Sequence, residues 1–111
     1  MKKLYHNLLN SFNGLKVGLK EHSFILELIG GFFLLAYLFI AKLSVQFKLI
    51  IISVYFVLLA FELLNTSIEK LSDRTIKEFD PDIKKVKDLS SASVFVILIL
   101  FFILLLISFF Y

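Results

Sequence analysis

Cysteine is absent from the 111 residues, glycine occurs four times and proline once. Without Cys there can be no disulfide, thiolate nucleophile, zinc–thiolate site or iron–sulfur cluster. Histidine is scarce as well, at His6 and His22 alone, which leaves little for a histidine-rich metal centre. The G-x-x-x-x-G-K-[ST] and G-x-G-x-x-G phosphate cradles are missing, and so are H-R-D and D-F-G patterns. Charged residues make up 19% of the chain, where soluble domains carry about 25%. What the chain has in excess is apolar mass: 59% hydrophobic residues, 16% aromatic, mean hydropathy +0.93. A domain this short cannot hide so much, because small domains bury a low fraction of their surface. A water-soluble globule is excluded, and so is a disordered chain, which needs low hydrophobicity. The net charge of +3 is too small to indicate a nucleic-acid partner, and none is expected. In a membrane protein the placement of charge matters more than its sum.

Three apolar runs dominate: Phe24 to Ala41, Leu49 to Ile68 and Ala92 to Tyr111. Each approaches the ~20 residues that cross a hydrocarbon core of about 30 Å at 1.5 Å per residue. The runs are continuous rather than alternating, and backbone groups in lipid must be satisfied internally, so they are helices. The expectation is one all-α membrane domain over residues 1–111, with spans at about 23–42, 48–70 and 89–111. Ahead of them, Leu4, Leu8, Phe12, Leu15 and Leu19 recur at helical spacing, with Lys2, Lys3, Lys16 and Lys20 mostly elsewhere on the wheel. That pattern predicts an amphipathic helix over about 4–20, lying in the bilayer surface; a helix packed against soluble parts of the chain is the alternative. The stretch does not have the layout of a cleaved signal peptide.

Orientation follows from counting basic residues. Residues 1–22 hold four, the loop 42–48 holds two, residues 70–88 hold six and the C-terminal run none. Three spans put the first and third of these segments on one side, ten against two, and the positive-inside rule assigns that side to the cytoplasm. All nine acids (Glu21, Glu27, Glu62, Glu69, Asp73, Glu78, Asp80, Asp82 and Asp88) fall in the same cytoplasmic half.

Charges inside spans cost roughly 2.5–3.5 kcal/mol each at a helix centre and usually mark function. With Glu62 at 0° and an advance of about 100° per residue, Asn65 falls near −60°, Glu69 near −20° and Asp73 near +20°. One stripe of the second span thus carries three carboxylates and an amide down to the cytoplasmic end. Like charges on one face repel. A Mg²⁺ ion relieves that, being held typically by one or two carboxylates and phosphate oxygens. The plain alternative is a polar stripe that only faces partner helices. Glu21 and Glu27 sit six residues apart where the surface helix meets the first span, and each could instead be a solvated cap or a snorkelling side chain. Lys87 and Asp88 are expected to begin the third span, where a lysine opposes the helix dipole and is badly placed for stability. That suggests a grip on an anion, a solvated lysine being the alternative.

Glu62-Leu-Leu-Asn65-Thr-Ser-Ile-Glu69, followed by Asp73-Arg74, resembles the signature E-[LI]-[LI]-N-[ST]-[AS]-[IV]-E-x-x-x-D. This signature belongs to the prokaryotic integral-membrane diacylglycerol kinase and undecaprenol kinase family. Val86-Lys87-Asp88-Leu89-Ser90-Ser91-Ala92 is similar to its downstream A-K-D-x-[GA]-[SA]-A element, and Phe12-Asn13-Gly14-Leu15-Lys16 to its surface helix. The resemblance covers almost the whole chain. It implies a homotrimer with three spans and one surface helix per subunit, and active sites at the cytoplasmic interface of the bacterial inner membrane shared between subunits. By the same resemblance Glu62 is the general base toward a lipid hydroxyl, and Asn65 orients the reacting groups. Glu21 and Glu69 hold Mg²⁺ with ATP. Lys87, Asp88 and Lys16 join them in nucleotide binding, and Glu27, Asp73, Glu62 and Ser91 face the lipid. Departures are Val86, Ser90 and Ser93 where smaller residues are common, Asp80 where His often stands, and a surface segment one residue short before Glu21.

Phosphoryl transfer fits these residues on chemical grounds, because it asks a protein for in-line positioning and charge neutralisation. A carboxylate in apolar surroundings is suited to taking the proton of an alcohol. The expected reaction is ATP-dependent phosphorylation of diacylglycerol to phosphatidic acid, with undecaprenol the alternative acceptor. A small oligomeric channel or holin-like pore is a reading of another class. It would spread acids across the membrane depth, whereas the outer half of this chain has none. An inert scaffold subunit is a third possibility, and it would tolerate loss of the Glu62 carboxylate.

Overall fold

The computed structural model describes residues 1–111 as four helices: α1 (Lys2–Gly18), α2 (His22–Ile40), α3 (Val45–Thr75) and α4 (Pro81–Phe109). The last three are long and apolar enough to cross a membrane. Only 13 of the 111 residues are buried, and large side chains such as Phe32, Phe33, Phe39 and Phe95 point outward. The radius of gyration, 16.9 Å, exceeds the roughly 13 Å of a compact soluble domain of this length. Apolar surface on this scale needs lipid or another chain against it, and the protein is a multi-pass membrane protein.

The helix ends explain where the spans differ from expectation. Ser44 caps α3, its Oγ accepting from the Phe47 amide at 3.1 Å, so this helix starts at Val45 rather than near 48. At 31 residues α3 is about 46 Å long, well beyond a hydrocarbon core of about 30 Å, and its polar end projects past the apolar zone. The third span was expected from about 89, but α4 begins at Pro81. Asp80 caps it by accepting from the Asp82 and Ile83 amides at 2.8 and 3.2 Å, and Pro81 occupies the first turn, where its missing N–H costs nothing. Lys87 therefore lies in the second turn rather than at the helix start. The dipole argument for its being misplaced does not hold, because the effect fades beyond the first turn.

Packing centres on α3, which lies against α4 along much of its length and against α2. Leu34, Leu38, Ile51 and Phe101 form the core, with Ile51 wholly enclosed. Helix–helix association in lipid depends on close fit rather than on the hydrophobic effect, and Gly31 provides that fit. It is buried, and a Cβ there would collide with the Tyr55 hydroxyl. The Gly31→Ala variant should lose about 1–3 kcal/mol through overpacking, read as a lower thermal midpoint in detergent. By contrast α1 is almost wholly exposed; Gly18, its one buried residue, sits against Leu63 and Phe24.

Candidate active site

The buried stripe of α3 runs Ile51, Leu58, Glu62, and at its middle the character changes from apolar to acidic. Glu62 is buried at 7% exposure, in a helix otherwise packed with aliphatic side chains. It accepts a hydrogen bond from Ser23 Oγ at 3.3 Å, and the Glu27 carboxylate of α2 stands beside it. Tyr55, two turns earlier on the same stripe, donates its hydroxyl to the Glu27 carbonyl at 2.9 Å and so fixes α2 against α3 at this level. The first pair of site residues thus comes from two helices: Glu62 and Glu27, facing each other.

One turn further along α3, Asn65 Nδ2 donates to Glu69 Oε1 at 3.2 Å. Beyond it the Lys87 ammonium donates to Asp73 Oδ1 at 2.6 Å, joining the end of α3 to the second turn of α4. That hydrogen bond raises the Lys87 pKa above the ordinary lysine range, and the fields of Asp73, Glu69 and Asp88 act in the same direction. Lys87 precedes the apolar run of α4 and stays cationic at any physiological pH. Asp88 accepts from Lys84 Nζ at 2.7 Å, and Glu21 pairs with Lys70 at 3.3 Å. Between the end of α3 and the start of α4 lies a polar cavity of about 380 Å³, lined by Asp73, Lys77, Asp80, Lys84, Lys87 and Asp88 among others.

Buried polar atoms are nearly always hydrogen-bonded, and exceptions call for a reason. Two buried side-chain oxygens lack a partner, Glu27 Oε2 on α2 and Asn65 Oδ1 on α3. Each is an acceptor waiting for a donor or a cation. The donor set consists of carboxylate and amide oxygens, which suit a hard cation and not a soft one. No three His, Asp or Glu side chains converge within one chain, so a metal here would rest on one or two carboxylates and on oxygens brought with it.

Of the residues singled out from sequence, Glu62 and Glu27 meet, Asn65 meets Glu69, and Asp73 meets Lys87. Glu21 and Asp88 border the site through their lysine partners. Lys16 is exposed on α1 and makes no ion pair, and Ser91 is exposed on α4 without a side-chain hydrogen bond. Four participants were not foreseen: Ser23, Tyr55, Lys70 and Lys84. Helical spacing could have flagged three of them. Tyr55 is seven residues before Glu62 and within about 20° of it, Ser23 is four before Glu27, and Lys84 is four before Asp88.

The chain is similar to known proteins. A family model described as prokaryotic diacylglycerol kinase matches residues 9–109. A protein of Helicobacter pylori named diacylglycerol kinase is 35% identical over 94 residues, covering 83% of this chain and 73% of the other.

Proposed function

Because the chain belongs to the prokaryotic diacylglycerol kinase family and is a lipid kinase, we propose that it transfers the γ-phosphoryl group of ATP to diacylglycerol, giving phosphatidic acid at the cytoplasmic face of the inner membrane. The observation that carries this reading is the pair of unpartnered acceptors flanking buried Glu62. A lipid hydroxyl entering between these polar groups presents its one proton to the Glu62 carboxylate. As that proton moves to Glu62, the hydroxyl oxygen attacks the γ-phosphorus, the bond to the β-bridging oxygen breaks, and ADP leaves. Glu69, steered by Asn65, and Glu21 would hold Mg²⁺ between them and the phosphates. Bound there, Mg²⁺ would neutralise the charge of the phosphates. Lys87 carries a fixed positive charge to the same place, and Asp88 lines the polar cavity in which the nucleotide fits. The hydroxyl meets the acidic stripe while the tails stay at the depth of the apolar spans.

In this reading α1 lies in the bilayer surface with its N-terminus in the cytoplasm, and three copies form a trimer. Two features support assembly: the broad outward apolar surface, and the lack of three metal-ligating side chains together in one chain. A phosphate-transfer assay with radiolabelled ATP, run in parallel on diacylglycerol and undecaprenol, tests the acceptor. Mg²⁺-dependent labelling of diacylglycerol well above undecaprenol is expected. Equal or inverted labelling would transfer the assignment to the polyprenol, and ion flux through liposomes without ATP consumption would establish a pore instead.

A further inference from the structure

A serine inside a helix commonly uses its hydroxyl on its own backbone. Ser11, Ser53, Ser67, Ser93 and Ser108 all do so, donating to carbonyls three or four residues back at 2.6–3.0 Å. Ser23 differs because of where it stands. It is the second residue of α2, so the carbonyl four positions earlier belongs to Leu19, outside the helix. With no turn of its own helix behind it, the hydroxyl is free to cross to α3, where it donates to Glu62 Oε2 at 3.3 Å. Packing fixes the backbone that carries it. The next residue, Phe24, is 4% exposed, and its ring lies beside Gly18 together with Leu63, the residue after Glu62. A Cβ at Gly18 would come within 2.6 Å of Leu63 Cδ2, so the end of α1, the start of α2 and the Glu62 turn of α3 are pressed together. Two residues before Ser23, Glu21 pairs with Lys70. The start of α2 therefore grips α3 at two levels, eight residues or about 12 Å apart along it.

We propose that Ser23 is the positioning residue of Glu62, holding the carboxylate by Oε2 so that Oε1 is the oxygen that takes the proton of the acceptor hydroxyl. The base role of Glu62 rests on the kinase reading, whereas the bond from Ser23 does not. The last torsion of a glutamate is broad and roughly two-fold, so an unheld carboxylate turns freely about it. A donor anchored in the first turn of α2 removes that freedom. In the transfer the O–H bond of the alcohol breaks and an O–H bond forms at Oε1, while Oε2 keeps the Ser23 hydrogen bond. Once the product has left, the proton passes from Oε1 to water. At 3.3 Å the bond is long for a hydroxyl on a carboxylate, as catalytic hydrogen bonds often are before substrate enters.

The full chain in mixed micelles is compared with Ser23→Ala, Ser23→Thr, and Ser23→Ala combined with Glu62→Gln, using radiolabelled ATP and dioleoylglycerol. Ser23→Ala is expected to lower kcat on the order of tenfold with both KM values unchanged, within the range that a misplacement of about 1 Å produces. Ser23→Thr keeps the hydroxyl, and the exposed position leaves room for its methyl group, so most of the rate is expected to return. In the Glu62→Gln background Ser23→Ala is expected to add no further loss, because a residue acting through the carboxylate then has nothing to position. An unchanged kcat, an equal fall in Ser23→Ala and Ser23→Thr, or the same fall in the Glu62→Gln background would overturn the proposal. Loss of the oligomer in Ser23→Ala would overturn it too, by assigning the hydroxyl to assembly. Infrared difference spectra between each protein and its Glu62→Gln counterpart isolate the Glu62 carboxyl band without turnover. That band is expected to shift in Ser23→Ala and to return in Ser23→Thr, and a band in one place in all three would count against the bond. If no acceptor is phosphorylated, the kinase reading fails, while the infrared band still decides whether Ser23 holds Glu62.

Discussion

The Glu62→Gln variant loses turnover by about 10²–10⁴-fold, the usual contribution of a general base, while oligomer size and thermal midpoint are retained. Gln has the size of Glu, and its carbonyl oxygen can still accept from Ser23 Oγ, now 3.3 Å from the carboxylate. What it cannot do is take a proton. Because Glu62 is 7% exposed, bulk water is poorly placed to substitute as base. The sign of the stability change separates chemistry from architecture. Gln fills the volume of Glu62 beside Glu27 and keeps an acceptor toward Ser23 Oγ, so the fold keeps its stability. A purely structural Glu62 would lose activity and stability together. Activity within tenfold of wild type, measured by phosphate transfer in detergent, would remove Glu62 from the base role.

Much of this arrangement was legible in the sequence because lipid makes the code strict. An apolar run of about twenty residues in a hydrocarbon solvent has one structural solution, so three spans follow from composition. The register of Glu62, Asn65, Glu69 and Asp73 follows from helical geometry alone, and the hydrogen bond of Asn65 to Glu69, four residues on, is its direct outcome. Helix ends were harder. Hydropathy marks where a span leaves lipid, whereas Asp80 and Pro81 mark where the helix starts, and here the two differ by more than two turns. The polar turns of α4 that precede its apolar run hold Lys84, Lys87 and Asp88.

Other features depend on pairs of helices and leave no trace in one-dimensional spacing. Gly30 and Gly31 are indistinguishable as letters; only the approach of Tyr55 makes one a contact and the other an opening. The Glu21–Lys70 ion pair joins the start of α2 to the far part of α3, 49 positions away, and its partners could not be matched without coordinates. Unpartnered buried acceptors are likewise a property of three dimensions. Their confinement to Glu27 and Asn65, both already singled out by charge placement and registry, is where the two kinds of inference meet.

Truncating Lys87 to Ala should lower kcat/KM for ATP by about 10²–10³-fold, the scale for losing one preorganised group that stabilises developing charge. A structural explanation competes, since the 2.6 Å contact with Asp73 clasps α3 to α4 across the turn at 76–80. The two readings diverge on stability. Asp73 is exposed and Lys87 lies at the rim, so the ion pair is of the solvated kind whose net contribution is small. Lys87→Ala should therefore leave the thermal midpoint nearly unchanged while activity falls. A clasp would lower the midpoint equally in Lys87→Ala and Asp73→Ala. Titration adds a second discriminator. The Asp73 hydrogen bond raises the Lys87 pKa, so its stabilising contribution is fully present below the ordinary lysine range and is lost only as pH climbs through the raised value. Lys87 thus adds no limb to the rate profile at acid or neutral pH. Lys87→Arg restores charge without the compact geometry of an ammonium, so it should recover part of the rate if the group acts on phosphate. Full loss in Lys87→Arg together with a lowered midpoint would assign Lys87 to the clasp.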